Sequence, residues 1–395
     1  MSNWLLRVTA LAVGLSMTMA VAAAEKPPIK IGYIIPMTGP FASTGKQHEI
    51  GVKLFMEQHG DEIDGRKVEL IFKDDGGVQP EVTKRIAQEL VVKEDVDVLA
   101  GFGLTPLALA AAPIANEAKV PMVVTSAATL SIVERSPWVV RTAQTLPQTT
   151  APIADWALDN DIKTAVTMVS DYGPGHDAEK VFVERFKQGG GEIIESMRIP
   201  LQNPDFAPFL QRVRDTKPDT VFVFVPSGVG SSLMKQFADR GLKDAGIVLI
   251  GTGDMLEDDL LPSMGEEAVG VITSHHYSAV HDSPENKAYV EAFNKLTNNT
   301  LRPSFQSVQA YDGMKLIYEA IKKAGSNATG EELLEAMKGM AWVSPRGPVY
   351  VDPETRDLVQ DIYIRRAEMI DGEIYNVELE KFEQFEGPRE LLSVQ

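Results

Sequence analysis

No cysteine occurs anywhere in the 395 residues. Disulfides, thiolate nucleophiles and cysteine-ligated zinc are therefore excluded. Positive charge is scarce as well: 38 lysines and arginines stand against 56 aspartates and glutamates, a formal charge of −18. So acidic a surface repels phosphate backbones and anionic lipid, and neither nucleic acid nor membrane is expected as a partner. An anionic ligand gains no long-range attraction either, so any acid must be held by local donors inside a cleft. Long apolar runs are also missing. Beyond Glu25 nothing approaches the ~18 to 20 residues that a membrane-spanning helix needs.

The first residues are of another kind. MSNWLLR, with Arg7 as its cation, precedes an apolar stretch from Val8 to Val21 and then Ala22, Ala23 and Ala24. A basic start, a short apolar segment and a small-residue site describe a cleaved secretory leader over 1–24. The mature chain is expected to begin near Glu25 and to work outside the cytoplasm. Roughly 370 residues then remain, more than one small core accommodates, which suggests two domains.

Along that chain, strands and helices alternate. IKIGYIIP from Ile29 is dense in β-branched residues and leads through a Gly-Pro loop into a helix from Lys46 to His59. Further strands at Lys67–Lys73, Val96–Ala100, Pro121–Val124 and Val139–Arg141 are separated by helices at Pro80–Lys93 and Pro106–Ala118. Such alternation predicts a parallel sheet covered on both faces. From Pro147 the pattern starts again, with Gly173-Pro174 standing where Gly39-Pro40 stood. Two half-chains of this kind predict an α/β protein of two doubly wound parallel-sheet lobes with a cleft between their strand ends. Three consecutive helices, from Glu285 to Met337, interrupt the second half. They predict that the chain returns to the first lobe near Tyr277 and crosses back near Pro345. The segment after Gly372 reads as a polar, acidic and peripheral tail.

Catalytic signatures fail on inspection. Gly39 lies one residue too far from Gly45 for a phosphate-binding loop, and Gln47 stands where a hydroxyl would meet magnesium. No G-x-S-x-G elbow occurs, and Gly101-Phe102-Gly103 and Gly251-Thr252-Gly253 lack the third glycine of a dinucleotide fingerprint. His275 and His276 are adjacent on a predicted strand, so they point to opposite faces; the expectation is one inward and one solvated rather than a metal pair. Asp254, Glu257, Asp258 and Asp259 lack calcium-loop spacing, and most fit the first turn of a helix. What remains follows strands: Phe41, Thr44, Phe102, Thr105, Thr129, Tyr172, Ser227 and Asp254. Aromatics, hydroxyls and small residues on strand-end loops make a small-molecule cleft. The unguarded run from Ser126 to Thr129, with Ala127 and Ala128, is its candidate floor.

Several segments resemble one family. IKIGYIIPMTGPFASTGKQHEIGVKLF from Ile29, KDDGGVQPEVTKRIAQELV from Lys73, VPMVVTSAATLSIVE from Val120, VVRTAQTLPQ from Val139 and SDYGPG from Ser170 are similar, in order, to type I periplasmic binding proteins of ABC importers. The likeness is to their leucine/isoleucine/valine-binding branch and spans nearly the whole mature chain. It implies lobes of 25–145 plus 277–345 and of 146–276 plus 346–388, joined by three crossovers, with a tail of 389–395. It implies a periplasmic, monomeric binding protein without catalytic activity, cofactor or metal, whose partners are a small carboxylate and the permease subunits of the transporter. In that family the carboxylate is held by hydroxyl and backbone groups, which match Thr105 and Ala127, Ala128 and Thr129. A loop residue matching Phe41 to Thr44 covers the ligand, and Tyr172 approaches from the second lobe. The amino-acid binders also place an acid against the ligand's ammonium. Here the matching segment ends at Asp254, so that acid is either displaced or missing. An aromatic acid, or an aromatic or branched keto acid, is therefore ranked above a branched-chain amino acid, and an exported ligand-sensing domain would share the same site features.

Overall fold

The computed structural model describes residues 26–392. The leader expected at 1–24 lies outside them. A first sheet is built from β1 (Ile29–Ile34), β2 (Glu62–Ile63), β3 (Arg66–Lys73), β4 (Val98–Gly101), β5 (Met122–Val124) and β6 (Val139–Arg141), in the order β2-β3-β1-β4-β5-β6. All neighbours except β2 and β3 run parallel. The intervening helices are α1 (Ala42–His59), α2 (Pro80–Val92), α3 (Thr105–Ala118) and α4 (Ser131–Arg135). Proline in the first turns of α2 and α3 starts them without losing a hydrogen bond.

The chain then enters a second sheet. α5 (Leu146–Asp159) is opened by a capping box between Thr145 and Gln148. After it come β7 (Thr164–Ser170), α6 (Gly173–Gln188), β8 (Glu192–Ile199), α7 (Ala207–Thr216), β9 (Thr220–Phe224), α8 (Gly230–Asp239), β10 (Val248–Thr252), α9 (Leu261–Met264) and β11 (Ile272–His275). Three helices follow, α10 (Pro284–Leu296), α11 (Phe305–Ala324) and α12 (Gly330–Met337). Met314, Ile317 and Leu334 from these share a core with Tyr33, Val123 and Val140 of the first sheet, so the chain has returned there. β12 (Ala341–Ser344), β13 (Gly347–Val351), β14 (Leu358–Ile370) and β15 (Glu373–Phe385) complete a nine-stranded second sheet. The chain thus passes between the sheets three times. The crossing expected near Pro345 lies inside the β12–β13 hairpin. That hairpin pairs in the second sheet while Val349 and Val351 pack into the first core.

Parallel register brings the functional loops level. Ile34 pairs with Gly101, Gly101 with Val124, and Val124 with Arg141, so the loops that follow leave one edge together. In the second sheet Val169 pairs with Phe224, Val223 with Gly251, and Thr252 with Ser274, which aligns a facing set.

Two sequence expectations are corrected. The segment after Gly372 is not a peripheral tail, because β15 pairs along the length of β14 and buries Asn376. Asp371 and Gly372, both with positive φ, make the tight turn between them, a hairpin signal that the acidic composition obscured. His276 is not solvated. Strand geometry ends at His275, so the alternation stops there, and both rings are fully buried with centroids 4.4 Å apart.

Around the β12–β13 hairpin a set of buried polar groups is paired. Arg346 donates to Asp312 of α11 at 2.9 Å, to Gln360 of β14 at 2.8 Å and to the carbonyl of Thr142 at 2.8 Å. Asp312 also accepts from Trp342 at 2.8 Å and Ser344 at 2.7 Å. One guanidinium therefore ties the first crossing, the returned helix and the second sheet. Removing its partner strands a buried cation, a change that typically costs ~3–5 kcal/mol. Asp312→Ala is expected to lose stability of that order in urea unfolding. A loss below about 1 kcal/mol, the range of an exposed ion pair, would show that the hinge does not depend on it.

Candidate functional site

The floor is set by peptide geometry at the end of β5. Arg141, which is fully buried, donates to the carbonyls of Ala127 at 3.3 Å and Thr129 at 2.6 Å, and the carbonyl of Ala128 accepts from Leu146 N–H at 3.2 Å. In a trans peptide the next N–H points away from the carbonyl. The N–H groups of Ala128 and Thr129 are thereby turned from these partners, and among the described residues neither has a hydrogen-bond acceptor. Beside them Thr105, the first residue of α3, holds its hydroxyl 2.9 Å from that of Thr129. Two hydroxyls, two free amides and the positive end of a fourteen-residue helix are suited to an anion.

A narrow cleft lies above this floor, between the two sets of strand ends. Thr105, Ala127 and Ala128 line one side, with Phe41 and Thr44 from the loop and helix after β1. Tyr172, Phe224, Ser227 and Asp254 line the other, from the strand ends of the second sheet. Tyr172 stacks on Phe224 with ring centroids 6.1 Å apart. Burial, and then the Asp254 carboxylate, push the Tyr172 hydroxyl well above its ordinary pKa, so it is a neutral donor at working pH.

Direct contacts close the cleft. Gln306, the second residue of α11, donates to Ser227 at 3.0 Å across it. Its carbonyl oxygen lies 2.9 Å from His48 Nε2, and His48 Nδ1 lies 2.8 Å from the Tyr33 hydroxyl. Burial pulls His48 down to about 4, so the ring is neutral: Nε2–H donates to Gln306 and Nδ1 accepts from Tyr33. Leu130 N–H donates to Asp177 of α6 at 3.0 Å, again across the cleft. Gln144 Nε2 approaches Asp254 at 3.4 Å. His275, also pulled down to about 4 by burial, lies 3.6 Å from the same carboxylate.

Eight of the ten residues singled out from sequence line this one cavity: Phe41, Thr44, Thr105, Ala127, Ala128, Tyr172, Ser227 and Asp254. Thr129 stands directly behind, joined to it through Thr105. Phe102 does not reach it. Its positive φ of 70° turns the side chain into the core with Ile34, Val124 and Ala127, leaving its carbonyl to accept from Ala127 N–H at 3.0 Å. The acidic run also differs from expectation. Glu257 and Asp258 precede α9 and do not fill a helix's first turn, and both are buried; Glu257 accepts from Gly228 N–H at 2.7 Å and Asp258 from Ala279 N–H at 3.2 Å. Sequence reasoning missed Gln306 and Phe224. Gln306 belongs to the inserted helices, and nothing local marks it as facing Ser227, at a strand end far earlier in the chain. Phe224 could have been found as the last residue of a buried strand.

A family model described as periplasmic binding protein matches residues 28–373. The chain belongs to this periplasmic binding protein family. Leu/Ile/Val-binding protein homolog 6 of Brucella abortus (strain 2308) is 47% identical over 379 residues, which are 95% of this chain and 96% of that protein. Among solved structures, a solute binding protein of an ABC transporter from Rhodopseudomonas palustris BisB5, in complex with 3,4-dihydroxy benzoic acid, is 55% identical with a TM-score of 0.90. The match covers 92% of this chain and 99% of that one. A second R. palustris solute binding protein, in complex with 4-hydroxybenzoate, is 41% identical with a TM-score of 0.88, covering 91% and 98%. Periplasmic binding proteins of this fold have two lobes, as the two sheets here do.

The approach of the lobes depends on Gly173 at the start of α6. A Cβ there would lie 2.8 Å from Thr129 Oγ1 and 3.4 Å from Thr105 Cγ2. Gly173→Val is expected to hold the lobes apart, seen as a larger radius of gyration in X-ray scattering. A radius equal to that of the unaltered protein would show that the contact does not govern closure.

Proposed function

We propose that this protein is the periplasmic solute-binding component of an ABC importer and that it captures an aromatic carboxylate between its lobes. The lobes that close are 25–145 with 277–345 and 146–276 with 346–388, and the closed form is what permease subunits in the inner membrane receive. The protein acts as a monomer and carries out no reaction on its ligand. The observation that supports the ligand class best is the pairing of an anion-accepting floor with aromatic walls. The free amides of Ala128 and Thr129 and the hydroxyl of Thr105 suit a carboxylate, while Phe41, Tyr172 and Phe224 offer ring surfaces to a flat ligand. Among the described residues no lysine or arginine lines the cleft, so neutral dipoles hold the acid. The solved relatives at 55% and 41% identity hold hydroxylated benzoates, which agrees with this chemistry.

Closure follows because a ligand touching both lobes stabilises the closed state over the open one. A second reading, a branched-chain amino acid, is favoured by the name of the 47% identical Brucella relative and by Asp254 as a partner for an ammonium.

A thermal-shift panel separates the two. A ligand at 100 times its Kd adds ~2.7 kcal/mol, enough to raise the melting temperature by a few degrees. Benzoates are expected to stabilise and leucine, isoleucine and valine not to; the reverse result would replace the aromatic reading with the amino-acid one. Thr129→Val is expected to abolish the shift with little change in the ligand-free melt. Survival of the shift in that variant would place the carboxylate elsewhere.

A further inference from the structure

The carboxylate of Asp254 is buried with half of its hydrogen-bonding capacity unused. The residue follows β10 in a 3-10 turn over Gly253–Leu256, is 7% exposed and lines the cleft. Its Oδ1 receives one long contact, from Gln144 at 3.4 Å. Among the described residues Oδ2 has no hydrogen-bond partner, and the nearby His275 Nε2 stands off at 3.6 Å. A buried acceptor left in this state costs stability unless a donor arrives. An aspartate can only accept when ionised, so the missing group is a donor carried by the ligand.

The carboxylate is also held in place from behind. Gly253 has no side chain, and a Cβ there would lie 2.6 Å from His275 Cβ and would overlap the Arg365 guanidinium. His275 and Arg365 therefore pack directly beneath the turn and set its position. Two of the other polar groups on the walls are already engaged: Ser227 accepts from Gln306 at 3.0 Å, and the Thr105 hydroxyl is shared with Thr129 at 2.9 Å. The floor takes the acid from the first lobe, and Asp254 belongs to the second. A rigid ligand that bridges them needs its donor on the far side of the ring from its carboxylate.

We propose that Asp254 is the specificity residue that reads a ring hydroxyl meta or para to the carboxylate, so that hydroxylated benzoates are selected over benzoate itself. This rests on the aromatic-acid reading given above. An ortho hydroxyl, adjacent to the carboxylate, does not reach it.

Calorimetric titration of the unaltered protein, Asp254→Asn and Asp254→Leu with benzoate, meta- and para-hydroxybenzoate, 3,4-dihydroxybenzoate and leucine tests this. A hydrogen bond to a charged acceptor gives the unaltered protein a preference of at least about tenfold for para-hydroxybenzoate over benzoate. That ratio is expected to fall toward one in Asp254→Leu and to drop in the isosteric Asp254→Asn, whose ligand-free melt controls for folding. A ratio near one in the unaltered protein, or a ratio that neither variant changes, overturns the role of Asp254 while leaving aromatic-acid binding intact. Binding of leucine with no response to any benzoate removes the aromatic reading and this inference with it.

Discussion

Three arginines without solvent exposure, Arg141, Arg346 and Arg365, sit where the chain passes between its two sheets. Each is a cation that would be prohibitively costly to bury alone, and each is surrounded by acceptors from segments far apart in sequence. Arg346 joins Thr142, Asp312 and Gln360. Arg365 donates to the Tyr277 carbonyl and to Thr273 at 3.3 Å, with Asp258 nearby at 3.7 Å. Arg141 donates to Asp357 at 2.8 Å as well as to the floor. Each of the three crossings therefore carries a fixed polar anchor. The lobes can move about this anchored region without separating from it.

The same constraint shapes the binding floor. Because Arg141 takes the carbonyl of Ala127 and Leu146 N–H takes that of Ala128, the amides of Ala128 and Thr129 are turned the other way and, among the described residues, left unpaired. A positive charge is thus used at one remove: it orients neutral donors and does not itself enter the cleft. This solves a problem posed by the composition. A protein with a formal charge of −18 has no field to draw in an anion, yet a helix terminus and preorganised amides can hold one locally. Across the cleft, Tyr172, Phe224 and Asp254 of the second lobe face the floor.

The closing contacts add a further layer. Gln306 spans the cleft to Ser227 and is itself held by His48, which is held by Tyr33. Each member of that relay is buried, so each must be satisfied, and satisfaction in one lobe requires a specific rotamer in the other.

Much was legible from residue order. Alternating buried strands and amphipathic helices predicted two parallel sheets, the interruption by three helices predicted the return to the first sheet, and the small residues after β5 predicted an open strand end. These are local signals, because side-chain periodicity and turn chemistry act over a few residues. Phe102, His276 and the β15 strand were misplaced for the complementary reason. Where a strand stops, which way a positive-φ residue turns its ring, and whether an acidic run finds a partner are settled by neighbours distant in sequence. Sequence by itself thus determined the architecture and the list of loops at the cleft. Only the tertiary structure decided which hydrogen bonds are already used there, leaving, among the described residues, two amides on one side and one carboxylate oxygen on the other without partners.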